Sequence, residues 1–220
     1  MAAGPFRAAV FDLDGTLVDS ESRNDAAWRR VFEARGMASD EALIRSFVGR
    51  RWTDVFALLA DGLPSLGQPG LDPAALMAAA SAHLSDPGLP PLAPMPGAVE
   101  LVRDIGRQGV PLGLVTSAGR RYAERTLAQL GLRGDFAVVV TGEDVEVGKP
   151  DPEGYARACR SLGAAAAACV GFEDAPAGVA AVKAAGMYCV AVATTHEPAD
   201  LSAADRVVAD LTAASWPLSP

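Results

Sequence analysis

The sequence after Gly97 alternates between amphipathic stretches and short apolar runs, and this alternation restricts the fold more than any other feature. Helical patterns cover 98–108, 120–130, 152–162 and 177–185, and apolar runs typical of strands cover 111–115, 137–140, 168–172, 187–193 and 206–209. Another apolar run, at 7–11, predicts a first strand. Alternating units of this kind indicate a parallel sheet with helices on both faces. The sequence therefore predicts a doubly wound, Rossmann-like α/β core.

Residues 19–91 follow a different pattern, which predicts a helical cap inserted after the first strand. Trp28, Val31 and Phe32, for example, fall on one face of a predicted helix. The segment 87–96 is rich in proline and forms neither a helix nor a central strand. We interpret it as a semi-rigid linker back to the core. The expected domains are a core of 1–18 and 92–220 and a cap of 19–91.

Charge and cysteine content exclude several classes of protein. The 220 residues include 19 Lys and Arg against 27 Asp and Glu, a formal net charge of -8. This balance argues against a nucleic-acid binder, which needs many basic contacts to phosphates. The three cysteines are odd in number and lack a CxxC spacing, which favours a reducing compartment. We expect a cytoplasmic protein without nucleic-acid or membrane partners, and we favour a monomer.

Polar residues follow several of the predicted strands. Ligands bind open parallel sheets outside the carboxyl ends of the strands, so these residues are expected to meet there. The loop after 137–140 adds a lysine before a proline. The candidate site residues are Asp12, Asp14, Thr116, Ser117, Lys149, Glu173 and Asp174.

Four of these candidates are carboxylates, and their mutual repulsion points to a metal ion. Two like charges about 4 Å apart cost on the order of 4 kcal/mol at an effective dielectric constant near 20. One lysine cannot balance four such charges, so a divalent cation is required. Carboxylate oxygens without a nearby histidine favour Mg²⁺ over zinc. Asp12, Asp14, Glu173 and Asp174 are the four residues whose charge this cation would balance.

The same residues permit phosphoryl transfer. Asp12 can attack phosphorus and form an aspartyl-phosphate. Asp14, two residues further on, can protonate the leaving group and later deprotonate the attacking water. Thr116 and Lys149 can bind the oxygens of the transferring group. The predicted substrate is a small phosphate ester.

Four segments resemble the four motifs of the haloacid dehalogenase superfamily. They read DLDGTLVDS at 12–20, VTS at 115–117, GKP at 148–150 and GFEDAPAG at 171–178. The last string and the place of the helical insertion resemble the β-phosphoglucomutase-like branch, which includes sugar-phosphate phosphatases. The resemblance implies an α/β core with a helical cap, and it spans 7–210.

The resemblance also implies a role for each motif residue. Asp12 corresponds to the nucleophile and Asp14 to the acid/base, while Thr116 and Lys149 correspond to phosphate ligands. Mg²⁺ would be bound by Asp12, the Asp14 carbonyl and Asp174, with Glu173 in or next to its coordination shell. Dehalogenase members lack the second aspartate, so Asp14 argues against dehalogenation.

The cap departs from the mutase pattern at two positions. Asn24 stands where that pattern has a histidine, and Trp52 lies near the position of an arginine, with Arg50 and Arg51 adjacent. Asn24 and Arg50 are candidate substrate contacts, since cap residues are expected to supply specificity. Both departures favour water as the phosphoryl acceptor.

The function expected from the sequence is a Mg²⁺-dependent phosphatase acting on a small metabolite, with a sugar or polyol phosphate as the favoured substrate. One alternative is a phosphosugar mutase, an isomerase resembling β-phosphoglucomutase. A second alternative is a receiver-like phosphate-binding module without turnover, against which the cap argues.

Overall fold

The computed structural model describes residues 6–37, 41–47, 52–62, 72–84 and 92–218. The chain divides into two compact units, one formed by Met1–Asp19 and Ala93–Pro220 and the other by Ser20–Leu92. The second unit begins and ends one residue later than the cap expected from the sequence.

A parallel sheet of six strands forms the centre of the first unit. Across the sheet the order is β5-β4-β1-β6-β7-β8, and every neighbouring pair is parallel. This is the doubly wound α/β fold predicted from the alternation of elements. The strands of the described residues are β1 (Ala8–Phe11), β2 (Val18–Asp19), β3 (Ala93–Pro94), β4 (Leu112–Val115), β5 (Phe136–Val140), β6 (Cys169–Glu173), β7 (Tyr188–Val192) and β8 (Arg206–Val208).

The α-helices of the described residues fall into two sets of four, one in each unit. None of them is long and apolar enough to cross a membrane. The second unit contains α1 (Glu21–Glu33), α2 (Glu41–Arg45), α3 (Trp52–Gly62) and α4 (Pro73–Leu84). The first contains α5 (Ala98–Arg107), α6 (Arg120–Gln129), α7 (Glu153–Ser161) and α8 (Pro176–Ala184).

The central strands are buried along their whole length, which explains why they read as continuous apolar runs. Every residue of β1, β4 and β6 is buried. A strand covered on both faces needs apolar side chains at each position instead of an alternating pattern. Helix α5 shows the complementary pattern, since its buried residues recur at helical spacing: Ala98, Leu101, Val102 and Ile105.

The second unit has an apolar core of its own. Trp28, Val31 and Phe32 of α1 are buried in it, which confirms the face predicted from their spacing. Helix α4 contributes Leu76 and Ala80 to the same core. Apolar residues at positions i, i+3 and i+4 of α1 thus account for its packing.

The proline-rich segment 87–96 lies partly outside the described residues. Within the described part, Ala93 and Pro94 form β3, which pairs antiparallel with β2. A proline is tolerated here because this sheet has two strands, so each has an unpaired edge. The described part of the segment therefore forms neither a helix nor a central strand, as expected.

Gly171 allows β6 to lie close to α8. A Cβ atom at this position would lie 2.7 Å from Cγ1 of Val182. We expect Gly171→Ala to lower the free energy of unfolding by about 1–3 kcal/mol in urea denaturation, because the strand and helix must separate. Gly134→Ala is the control, since a Cβ there meets no atom within 4 Å. Equal stability of Gly171→Ala and the wild type would contradict this packing.

Candidate active site

The structure brings three acidic side chains together at the carboxyl edge of the parallel sheet. Asp12 follows β1, Glu173 is the last residue of β6, and Asp174 follows it. Because β1 and β6 are parallel neighbours, their ends deliver these residues to the same place. All three are buried, and one carboxylate oxygen from each lies within 4.8 Å of the others.

Lys149 lies within this acidic cluster. Its Nζ donates a hydrogen bond to Oδ1 of Asp12 and lies 2.5 Å from Oε1 of Glu173. The lysine side chain is only 8% exposed, so its charge is compensated by these two carboxylates and hardly by water. The loop after β5 thus carries a cation to the ends of β1 and β6.

Glu173 is held by several donors from the protein. The hydroxyl of Tyr155 donates to Oε1 at 2.7 Å, and the backbone N–H groups of Asp174 and Ala175 donate to Oε2 at 3.1 and 3.4 Å. Gly178 provides the space for this carboxylate, since a Cβ there would lie 1.9–2.1 Å from its atoms. The GFEDAPAG segment therefore both supplies Glu173 and leaves room for it.

Asp174 is held by two threonine hydroxyls. Thr16 donates to Oδ1 at 3.1 Å, and Thr195 donates to Oδ2. Gly15 passes so close that a Cβ there would lie 2.2 Å from Oδ2, and its φ of +83° lies in the region that favours glycine. The turn after β1 and the loop after β7 together fix this carboxylate.

Burial makes the charges of this cluster costly. It raises the pKa of Asp12 well above its usual value; attraction to Lys149 opposes the rise, and repulsion from neighbouring carboxylates adds to it. Burial, together with repulsion by Glu173, raises the pKa of Asp174 to about 7. Burial alone would lower the pKa of Lys149, but attraction to Asp12 and Glu173 outweighs it and raises the pKa. The lysine therefore remains charged.

The donor set of the cluster fits a hard divalent cation. The carboxylates of Asp12, Glu173 and Asp174 are close enough for a single ion to contact them, whereas one ammonium group leaves their charge incompletely balanced. A divalent cation offsets the repulsion that otherwise favours protonation. Carboxylate oxygens suit Mg²⁺, and its binding here remains a prediction.

Asp14 lies beside the cluster but makes a different contact. Its Oδ1 accepts a hydrogen bond of 2.7 Å from the hydroxyl of Tyr122 in α6. Its carboxylate is not among the three that lie within 4.8 Å of one another. The metal role implied for Asp14 involves its backbone carbonyl, and that role remains a prediction.

Thr116 and Ser117 follow β4, which neighbours β1 in the sheet. Thr116 is buried, and its Oγ1 accepts a hydrogen bond of 3.0 Å from the N–H of Ala118. Gly142 allows the loop after β5 to approach, since a Cβ there would lie 2.4 Å from the carbonyl oxygen of Ser117. The loops that follow β4 and β5 therefore pack tightly against each other.

Of the two residues predicted as substrate contacts in the cap, one lies within the described residues and the other does not. Asn24 is half-buried in α1 of the second unit, and its N–H donates to the carbonyl oxygen of Ser20 at 2.9 Å. Arg50 lies outside the described residues. Their contact with substrate remains a prediction.

Several residues around the carboxylates were not among the site residues predicted from the sequence. Tyr122 and Tyr155 lie on helices. The amphipathic pattern of a helix indicates that such a tyrosine packs against its neighbours and does not indicate a contact with a carboxylate. Thr195 could have been predicted, because it is a polar residue that follows the apolar run at 187–193, as the other candidates follow their strands. His196 is next to it, with Nδ1 3.1 Å from the carbonyl oxygen of Asp174.

Asp144 fixes the loop that leads from β5 to Lys149. Its Oδ2 accepts hydrogen bonds of 2.5 Å from Arg120 and of 2.7 and 2.8 Å from the hydroxyl and N–H of Thr141. Burial alone would raise the pKa of Asp144, but these hydrogen bonds outweigh it and lower the pKa to about 2. The Arg157 guanidinium donates to the Asp144 carbonyl at 2.6 Å and ties the same loop to α7.

Comparison with known proteins gives consistent matches along the chain. The family model of haloacid dehalogenase-like hydrolases matches residues 6–186. The chain is 42% identical over 212 residues to validoxylamine A 7'-phosphate phosphatase of Streptomyces hygroscopicus subsp. limoneus, covering 96% of this chain and 97% of the relative. It is 33% identical over 202 residues to hexitol phosphatase A of Escherichia coli (strain K12), with coverages of 92% and 90%.

A solved structure of β-phosphoglucomutase from Clostridium difficile matches with a TM-score of 0.78 at 22% identity. The match covers 96% of this chain and 94% of that one. At this identity, the likeness shows the fold alone.

The Asp144 network predicts a stability difference that depends on pH. A carboxyl group whose pKa is lowered by folding stabilises the protein above its unfolded pKa, and this contribution is lost as the pH falls through its folded pKa. We expect Asp144→Asn to lower the free energy of unfolding by about 1–2 kcal/mol at pH 6. The gap should narrow as the pH falls from about 4 towards 2, the range between the ordinary and folded pKa values.

Urea denaturation of both proteins at pH 6 and pH 3 measures this gap. Asp104→Asn is the control, because Asp104 pairs with the exposed side chain of Arg107 and should change stability little at either pH. A gap for Asp144→Asn that is the same at both pH values would show that its charge does not stabilise the loop.

Proposed function

Because the chain belongs to the haloacid dehalogenase-like hydrolases, as its four motifs predicted, and is a phosphoric monoester hydrolase, we propose that it is a Mg²⁺-dependent phosphatase of sugar or polyol phosphates. The proposal includes an aspartyl-phosphate intermediate on Asp12. The observation that carries it is the buried contact between Asp12 and Lys149, next to Glu173 and Asp174. Asp14 lies two residues away and supplies the acid/base group.

In the first step, a carboxylate oxygen of Asp12 attacks the phosphorus atom of the substrate. The bond between phosphorus and the ester oxygen breaks, and the leaving alkoxide takes a proton from Asp14. Lys149 and the Thr116 hydroxyl hold oxygens of the transferring phosphoryl group, and Ser117 lies next to Thr116 in the same loop. The products of this step are the free alcohol and phosphorylated Asp12.

In the second step, a water molecule attacks the phosphorus atom of phosphorylated Asp12. Asp14 is now a carboxylate and takes a proton from this water. The acyl phosphate bond breaks, which releases inorganic phosphate and restores the Asp12 carboxylate. Asp14 is protonated again, so both residues return to their starting states.

Asp12, Asp174 and the carbonyl of Asp14 are the proposed metal ligands, with Glu173 next to them. When bound, Mg²⁺ lowers the repulsion between these carboxylates and an incoming phosphate dianion. Thr16 and Thr195 orient the Asp174 carboxylate for this role. Glu173 is already bound by Lys149 and Tyr155, which supports a role in holding the lysine.

The names of the relatives support the substrate class. Validoxylamine A 7'-phosphate and hexitol phosphates are phosphomonoesters of polyhydroxylated molecules, and the two relatives named for them match this chain along nearly its whole length. We propose that the substrate is likewise a phosphate ester of a polyhydroxylated ring or chain.

Asp12→Asn tests the nucleophile. The amide nitrogen and oxygen are poor nucleophiles, so phosphate release should fall by about 10³-fold or more. Size is conserved and Lys149 retains Glu173 as a partner, so circular dichroism should remain that of the wild type. Asp104→Asn is the control for loss of an aspartate charge outside the site and should keep full activity. An Asp12→Asn variant with wild-type turnover would refute the mechanism.

A phosphate-release screen tests the substrate class and the metal together. The panel contains sorbitol 6-phosphate, mannitol 1-phosphate, fructose 1-phosphate, glucose 6-phosphate and several nucleoside monophosphates. We expect the highest kcat/KM among the hexitol and sugar phosphates, loss of activity with a chelator, and recovery when Mg²⁺ is added back. Full activity in chelator, or a preference for nucleoside monophosphates, would contradict the proposal.

The mutase alternative is decided by one further incubation. Glucose 1-phosphate is supplied with a glucose bisphosphate primer, and the products are separated. Free phosphate indicates a hydrolase, as we propose, whereas glucose 6-phosphate without phosphate release indicates a mutase. The replacement of the mutase-type histidine by Asn24 favours the hydrolase.

A further inference from the structure

Tyr122 connects helix α6 to the turn that follows β1. Its hydroxyl donates to Oδ1 of Asp14 at 2.7 Å, although the two residues are 108 positions apart in the sequence. Tyr122 lies outside all four motifs. We propose that Tyr122 is a positioning residue that orients the Asp14 carboxyl group for proton transfer to the leaving group. This inference rests on the proposed function of Asp14 as the acid/base.

The phenol is held in place by the anchored start of α6. Gly119 precedes this helix, and its carbonyl oxygen accepts a hydrogen bond of 3.1 Å from the N–H of Tyr122. Arg120 pairs with Asp144 at 2.5 Å, and its N–H donates to Oε1 of Glu143 at 3.0 Å. These contacts join the first turn of α6 to the loop after β5. They fix the backbone from which the Tyr122 side chain extends.

Asp14 lies in a turn that is anchored as well. The N–H of Gly15 donates to the carbonyl oxygen of Val18 at 2.8 Å, and the carbonyl oxygen of Gly15 accepts from Thr194 at 2.5 Å. The backbone on the carboxyl side of Asp14 is thus held at two atoms. The Tyr122 hydroxyl adds a restraint on rotation of the carboxyl group itself.

The hydrogen bond also distinguishes the two carboxyl oxygens. The χ2 torsion of aspartate is broad and nearly two-fold, so an unrestrained carboxyl group exchanges its oxygens readily. With Oδ1 accepting from Tyr122, the proton that Asp14 donates to the leaving group resides on Oδ2. A proton on one defined oxygen is in place for transfer, whereas a rotating group spends part of its time misaligned.

This role predicts an effect that depends on the leaving group. An alkoxide leaves poorly without a proton, so the first step with a sugar or hexitol phosphate needs the aligned acid. A 4-nitrophenolate anion is stable and leaves without protonation. The parameter kcat/KM reports the steps up to the first irreversible bond cleavage, and so isolates this proton transfer. Hydrolysis of phosphorylated Asp12 is the same step for both substrates, and its rate affects kcat but not kcat/KM.

The experiment compares wild type, Tyr122→Phe and Tyr188→Phe in the presence of Mg²⁺. The substrates are 4-nitrophenyl phosphate and the hexitol or sugar phosphate that the wild type hydrolyses fastest in the panel above. For Tyr122→Phe we expect kcat/KM to fall by about tenfold or more with the alkyl phosphate and to stay within about twofold with the aryl phosphate. Tyr188→Phe removes a hydroxyl from β7, where the ring packs on Phe6, and should change neither value.

The outcomes separate this inference from the proposed function. An equal loss on both substrates would show that Tyr122 has a merely structural role, and no loss on either would show that Asp14 does not need it; both results overturn the inference. In either case the wild type remains an active phosphatase, so the proposed function survives. A wild type inactive on every panel member would overturn both.

Discussion

The site is organised by the burial of three carboxylates around one ammonium group. Lys149 contacts Asp12 and Glu173 and is almost as buried as they are. Uncompensated charge is costly in a protein interior, so this cluster persists only if other groups hold and partly neutralise it. The parallel pairing of β1 with β6 brings the carboxylates that follow Phe11 and Phe172 to one edge of the sheet, where their charges repel. Groups from the surrounding loops and helices hold these carboxylates in place.

Hydroxyl groups from different elements hold the acidic side chains. Tyr122 donates to Asp14, Tyr155 to Glu173, and a threonine to each oxygen of Asp174. A hydroxyl donates one directional hydrogen bond and carries no charge, so it orients a carboxylate without neutralising it. An arginine or lysine in these positions would cancel the negative charge that a divalent cation needs. The choice of hydroxyls therefore fits a site that must stay acidic and rigid.

Much of the core site could be predicted because an apolar run that ends in a polar residue has a simple geometric meaning. Asp12 and Glu173 were predicted in this way, and the structure brings them together. Tyr122 and Tyr155 could not be predicted, because a tyrosine on an amphipathic helix has the same spacing whether its hydroxyl reaches a carboxylate or solvent. Thr195 could have been predicted from the sequence, since it follows a predicted strand. Contacts of cap residues with substrate depend on side-chain direction, which helical spacing does not specify.

The most direct test is a crystal structure of the protein grown with Mg²⁺ and beryllium trifluoride, which binds carboxylates as an analogue of an acyl phosphate. The account predicts beryllium bonded to an Asp12 oxygen, with a fluorine atom within hydrogen-bond distance of Lys149. It also predicts Mg²⁺ bound by Asp12, Asp174 and the Asp14 carbonyl. An adduct on another residue, or Mg²⁺ bound away from these carboxylates, would contradict it.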